Sequence, residues 1–241
     1  MLDYLALRHR PPGRPAMQQK WGRLAFLHWP LDPAQLQPLL PAGLELDLYD
    51  GRAWIGLVAF TMWGIHPPGL PGIPTATSFH ELNVRTYVHH RGVPGVYFFS
   101  LDAASRLAVW GARTFWHMPY FNARMDLREK DGRILYTSQR VHAGARPATF
   151  YGIWKPGDPL PPSEPGSLPF FLTERYGLYT EHRGRLLWGR IWHEPWPLRA
   201  ATLEDVRVHM LDQLDLPEPE GAPVIHCAHE IATEVWPLRP V

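Results

Sequence analysis

The residues best able to do chemistry together share one short segment, Phe79-His80-Glu81-Leu82-Asn83-Val84-Arg85-Thr86-Tyr87-Val88. At strand period it puts Glu81, Asn83, Arg85 and Tyr87 on one face and Leu82, Val84, Thr86 and Val88 on the other. A surface strand would turn such a polar face to solvent. The next strand-like run, Gly95-Val96-Tyr97-Phe98-Phe99-Ser100-Leu101, is so apolar that both segments read as central, which aims the polar face at a cavity. There a glutamate can act as a general base and an arginine can hold a carboxylate or enolate through paired donors. A tyrosine can donate to an oxyanion. The candidate site is therefore Glu81 and Tyr120 as catalytic groups, with Asn83, Arg85 and Arg113 binding substrate.

Arg113 and Tyr120 enter through their position. The period changes after Ser100, and a helix capped by Asp102 would run to about Trp116, ahead of a strand starting at Tyr120. Arg113 near the helix C-terminus is favoured by the helix dipole alone. In the functional reading it also turns inward and meets the Tyr120 phenol, lowering the phenol's pKa. Strand alternation would put Asn122 and Arg124 on the same inward face as Tyr120.

The elements that must position these groups are mostly strands. Residues 21–29, 44–48, 53–63, 120–127, 134–141, 149–154, 176–180 and 186–194 read as strands, with a last strand pair near 224–235. Tyr49-Asp50-Gly51-Arg52, Arg91-Gly92, Asp131-Gly132 and Arg183-Gly184 carry hairpin turn chemistry. Short helices are expected at 32–40, after an Asp32 cap and Pro33, at 168–175, and from Thr202. Proline-rich loops cover 66–74 and 156–167. Short hairpins between consecutive strands favour a mainly β, antiparallel, barrel-like fold with a few flanking helices. The whole chain, 1–241, reads as a single domain, with 1–20 as an N-terminal arm on the domain or on a neighbouring subunit of a homo-oligomer.

Composition narrows the function classes. A net charge of +1 from 24 basic and 23 acidic residues gives no electrostatic reason to expect nucleic acid or an anionic membrane as partner. Lysine occurs only at Lys20, Lys130 and Lys155, so a lysine-dependent mechanism has three candidates. The single cysteine, Cys227, excludes an intrachain disulfide and a cysteine metal cluster. No signal peptide or membrane-spanning run is evident, which points to a cytoplasmic protein. Among 13 histidines none forms a metal-binding helix motif; His226 and His229 with Glu230 lack a partner cluster, and His28 and His193 read as core or rim residues. No nucleophile elbow, Walker loop or dinucleotide fingerprint occurs, so neither a cofactor nor a metal is expected.

The order of several uncommon segments carries a resemblance. Asp50-Gly51-Arg52-Ala53-Trp54-Ile55-Gly56, Glu81-Leu82-Asn83-Val84-Arg85-Thr86-Tyr87, Met118-Pro119-Tyr120, Phe171-Leu172-Thr173-Glu174-Arg175-Tyr176 and His193-Glu194-Pro195-Trp196-Pro197-Leu198 follow one another as in the bacterial domain of unknown function 2071 family. That family is similar in fold to acetoacetate decarboxylase, so the resemblance implies a cone-like β-barrel with a buried polar site. In the decarboxylases a lysine forms a Schiff base beside a second lysine. Glu81 resembles the strand glutamate of that site. Met118-Pro119-Tyr120-Phe121 resembles the segment bearing the paired lysines, but with Tyr120 and Phe121 there it cannot form an imine. Two functions follow: binding, or transformation by an unassigned reaction, of a small carbonyl- or carboxylate-bearing molecule, or a non-catalytic structural or interaction role on the same fold. An open cavity with Glu81 and Tyr120 unpaired favours the first; a filled barrel with all polar groups mutually bonded favours the second.

Overall fold

The computed structural model describes residues 2–69, 78–217 and 219–241. The strands are β1 (Met17–Leu31), β2 (Glu45–Leu46), β3 (Ala53–His66), β4 (Phe79–His90), β5 (Val93–Ala103), β6 (Tyr120–Lys130), β7 (Arg133–Arg140), β8 (Thr149–Pro159), β9 (Gly177–His182), β10 (Arg185–His193), β11 (Leu198–Val208), β12 (Val224–Val235) and β13 (Arg239–Pro240). The helices are α1 (Pro33–Leu36), extended by a 3-10 turn, α2 (Arg106–Phe115) and α3 (Leu168–Thr173).

All the strands join one sheet, and the pairing of β4 with β5 bends it into a ring running β5-β6-β7-β8-β11-β12-β1-β3-β4. A second loop of pairings leaves β5 through β9 and β10 and returns at β12. The sheet is mixed: β5 pairs in parallel with β6 and with β9, where only antiparallel pairing was expected. Each parallel contact follows a helix that returns the chain to β5, α2 before β6 and α3 before β9.

Strands β1, β3, β4 and β5 form a wall shared by two compartments, and side-chain alternation sorts their residues between them. Leu27, Leu57, Leu82 and Val84 turn into the larger ring, where they meet Tyr136, Phe150 and Trp154 of β7 and β8 in an apolar core. Phe26, Val58, Glu81 and Asn83 turn the other way, toward α2, α3, β9 and β10. Two irregularities change parity along this wall. The β1–β3 register shifts between Gly22 and Ala25, so that Trp21 and Leu24 share a face. Phe99 is skipped in the β4–β5 pairing, so Phe98 and Leu101 share one as well.

Several expectations need correction. Residues 202–208 form most of β11, because Thr202-Leu203-Glu204-Asp205-Val206-Arg207-Val208 pairs along β8 where a helix was expected. The strand β8 extends through Pro159, into the expected proline loop, and 224–235 is one strand. The Asp50-Gly51 turn forms, with both φ angles positive, but β2 pairs with β4 and not across that turn with β3. Helix α2 is capped by Ser105, whose side chain accepts from the Ala108 amide; Asp102 lies on β5, buried against Arg140 at 2.7 Å. The arm packs on its own chain: Tyr4 donates to Asp47, and Trp192 Nε1 donates to the Arg8 carbonyl. Residues 70–74 of the expected loop lie outside the described residues.

Candidate functional site

The compartment between the shared wall and β9–β10 holds a cavity of about 310 Å³. Its walls are largely apolar, with Phe26, Phe60, Phe98 and Leu101 from the sheet and Ala108, Gly111, Ala112 and Phe115 from α2. These α2 positions follow i, i+3, i+4, i+7 spacing, so one helix face closes the cavity. Phe115 both lines it and is 67% exposed, which places it at the mouth.

Three of the five sequence-selected residues come from β4. Glu81, Asn83 and Arg85 all line the cavity, and Tyr120, the first residue of β6, joins them. The Tyr120 hydroxyl donates to Glu81 Oε2 at 2.7 Å, with the Asn83 side chain also supporting the carboxyl. Burial dominates both groups. It lifts the Glu81 carboxyl to about 7, with nearby Asp102 pushing the same way against the two hydrogen bonds. Burial and the adjacent Glu81 charge drive the Tyr120 phenol well above its ordinary range, the reverse of the expected depression. A carboxyl titrating near neutrality beside a phenol that stays protonated is an acid–base pair. Asn83 Oδ1 is buried with no hydrogen-bond partner.

Arg85 lies at the other end of the polar row. Its Nη2 donates to the Leu172 carbonyl at 3.0 Å, its guanidinium stacks 5.6 Å from the Phe26 ring, and its Nε is buried without a partner. No ion pair to Arg85 occurs among the described residues. Beside it stands Arg175, which sequence reasoning missed. Arg175 Nε donates to the Phe171 carbonyl, Nη1 pairs with buried Asp47 at 2.5 Å, and Nη2 has no partner. The two arginines thus satisfy carbonyls at the C-terminal end of α3, the negative end of its dipole. Tyr87 completes this end: its hydroxyl donates to the Leu172 carbonyl at 2.6 Å. That uses the phenol's one proton, so His28 Nε2, 2.7 Å away, is the donor in their contact. Gly56 makes room for it, because a Cβ there would sit 2.8 Å from the His28 ring.

Arg113 does not belong to this assembly. It is exposed on α2, off the face that meets the cavity, and its Nη1 donates to the backbone carbonyl of Tyr120 at 2.7 Å. The contact with Tyr120 therefore exists, but through the main chain and from outside. Arg124 is exposed, and Asn122 bonds His142 outside the cavity. His193 is buried in the cavity wall, donating from Nδ1 to the Glu194 carbonyl at 2.7 Å, and burial holds its pKa down. The Glu174-Arg175-Tyr176 and His193-Glu194-Pro195-Trp196 segments were visible as family-like runs, the one signal that could have pointed to Arg175. The three lysines are exposed and none lines the cavity; Lys20 pairs with Glu230 at 3.0 Å. Among the described residues no group of three or more His, Cys, Asp or Glu side chains could hold a metal ion. No helix among them is long and apolar enough to cross a membrane.

Comparison with known proteins agrees with this architecture. Residues 18–232 match the family model for domain of unknown function 2071, described as an uncharacterized conserved protein. The uncharacterized protein YqjF of Bacillus subtilis (strain 168) is 43% identical over 229 residues, covering 95% of this chain and 94% of that protein. Among solved structures, an acetoacetate decarboxylase-like enzyme from Sphingomonas wittichii RW1 is similar with a TM-score of 0.61 at 13% identity, covering 95% and 94% of the two chains. The enduracididine biosynthesis enzyme MppR complexed with pyruvate gives 0.63 at 13% identity, covering 96% and 93%. Acetoacetate decarboxylase from Legionella pneumophila gives 0.61 at 14% identity, covering 96% and 88%. At these identities the likeness is one of fold.

Proposed function

We infer that this chain, which belongs to the domain of unknown function 2071 family, binds a small carbonyl- or carboxylate-bearing molecule in the cavity between the shared wall and β9–β10. One observation carries this reading. The cavity leaves open space beside Glu81, Asn83, Arg85 and Arg175, and the buried Asn83 Oδ1, Arg85 Nε and Arg175 Nη2, though closed off from that space, have no hydrogen-bond partner. A polar network kept only for structure satisfies its buried members, because each orphaned group costs stability. The Glu81–Tyr120 bond is self-satisfied, which is what a structural role would give; the arginine end is not.

Any reaction here proceeds without an imine, since no lysine reaches the cavity. When Glu81, poised near neutral pH, takes a proton from the bound molecule, its carboxyl can donate to the Tyr120 hydroxyl, freeing the phenol proton for oxygen charge that develops beside it. Arg85 holds an anionic group. The fold relative MppR, complexed with pyruvate, a 2-oxo acid, supports ligands of this chemical kind.

Ligand-observed NMR with a mixed set of carboxylates and ketones tests the reading. Binding of at least one member to the wild-type chain, lost in Arg85→Ala and altered in Glu81→Gln, is the expected result. No binding by any member, or binding indifferent to both substitutions, overturns it. Borohydride trapping with a bound ketone should leave Lys20, Lys130 and Lys155 unmodified; a specific adduct on any of them would show that an amine reaches the site after all.

A further inference from the structure

We propose that the ligand is an elongated monocarboxylate with an apolar body, its carboxylate at Arg85 and Arg175 and its far end at Glu81 and Tyr120. This rests on the reading of the cavity as a carboxylate or carbonyl site and specifies the shape of what fills it.

Charge sets the orientation. The arginine end holds two guanidinium groups and one carboxylate paired to them, Asp47, which bonds Arg175. Glu174, next to Arg175 in sequence, is turned away to the Tyr176 hydroxyl and the Trp196 amide. Among the described residues Arg85 therefore has no paired carboxylate, and Arg175, enclosed between the Tyr87 and Phe171 rings, adds its charge from behind. Arginine stays charged at any working pH, so this end calls for an anion and is suited to a carboxylate's two oxygens. The opposite end is suited to a neutral polar group. Glu81 is uncharged below about 7, and Tyr120 keeps its proton, so a second carboxylate would find no compensating charge there.

Geometry sets the length. Glu81 and Arg85 are four residues apart on one strand, and their Cα atoms are thus separated by about 13 Å, a gap that a chain of roughly eight carbons bridges. The walls include Phe26, Val58, Phe60, Phe98 and Leu101, which outweigh the polar Asn83, Gln19, Thr173 and His193. A body lying against them is apolar and desolvates on entry. At about 310 Å³ the cavity lies at the small end of ligand pockets, which admits a single chain or a compact aryl acid and excludes a nucleotide.

Isothermal titration of the whole chain with acetate, pyruvate, hexanoate, octanoate, dodecanoate and octanol tests the proposal. Affinity should rise about fourfold per methylene from hexanoate to octanoate, the increment for burying a methylene, and rise no further at dodecanoate. Octanoate should bind at least tenfold more tightly than octanol, and Arg85→Gln, which can keep the bond to the Leu172 carbonyl, should erase that preference. Arg85→Ala should do the same if it folds. A ketone near the far end, as in 7-oxooctanoate, should strengthen binding, and Tyr120→Phe should remove that gain. Pyruvate or acetate binding as tightly as octanoate, or octanol matching octanoate, overturns this proposal and leaves the general carboxylate or carbonyl reading standing. Failure of every acid and ketone of any length to bind removes both.

Discussion

The two faces of the shared wall obey different rules although the same strands build both. On one face Leu27, Leu57 and Leu82 are each fully buried in a packed apolar core. On the other face the residues next to them in sequence, Phe26, Val58 and Glu81, border an open cavity with unsatisfied polar atoms. The packed face supplies burial energy, and the second face is free to hold groups that packing alone would disfavour. Tyr136 links the two: from the core its hydroxyl donates to the backbone carbonyl of Glu81 at 2.8 Å, with the Phe60 carbonyl 3.1 Å away, pinning the strand that carries the carboxyl.

The largest effect should come where the cavity side behaves like a core. Arg175→Ala leaves Asp47 buried and unpaired, and should cost about 3–5 kcal/mol in denaturant unfolding. Arg85→Ala strands no carboxylate and should stay within about 1 kcal/mol. Equal costs would mean that Arg85 has a charge partner in solution. A matched pair of leucines sharpens the contrast next. Leu82→Ala, in the packed face, should cost about 3 kcal/mol or more, whereas Leu101→Ala, against existing empty space, should cost about 2 kcal/mol or less.

The third prediction concerns pH. Unfolded, the Glu81 carboxyl ionises near its ordinary value of 4.5, while the folded chain holds its proton to about 7. Between those values the native state holds more protons on this group, so its contribution to stability falls as pH rises and levels off above about 7. The drop is at most about 3 kcal/mol, and Glu81→Gln should flatten it. A difference between wild type and Glu81→Gln that stays flat from pH 4.5 to 7 contradicts the buried neutral carboxyl; the opposing contribution of the histidines that burial holds down cancels in that difference. The smallest effect belongs to Arg113→Ala: under about 1 kcal/mol of stability, with ligand affinity unchanged, because it serves the helix end and the Tyr120 carbonyl from outside. A tenfold loss of affinity would return it to the site.

The strand-rich fold and the polar face of β4 were legible because alternation over 81–88 is local, and so is the turn chemistry of Asp-Gly and Arg-Gly. Three things were not. The parity changes at Gly22–Ala25 and at Phe99 arise from pairing with neighbouring strands, and nothing in either segment announces them. The β11 segment carries charged residues at helix-compatible spacing, and only its partner β8 decides for extended structure. Arg175 owes its position to the end of α3 meeting β4 nearly ninety residues away, so its own surroundings in sequence are silent. Arg113 shows the opposite error: a true neighbour of Tyr120, assigned the wrong side of the main chain.

The placement of the three lysines has a practical use. Lys20, Lys130 and Lys155 all stand on the outer surface, and the cavity's cations are arginines. Amine-reactive dyes, biotin reagents or activated resins will therefore decorate lysine side chains on the exterior only. The protein can be tethered to a sensor chip or labelled for single-molecule work through these side chains with its interior chemistry untouched.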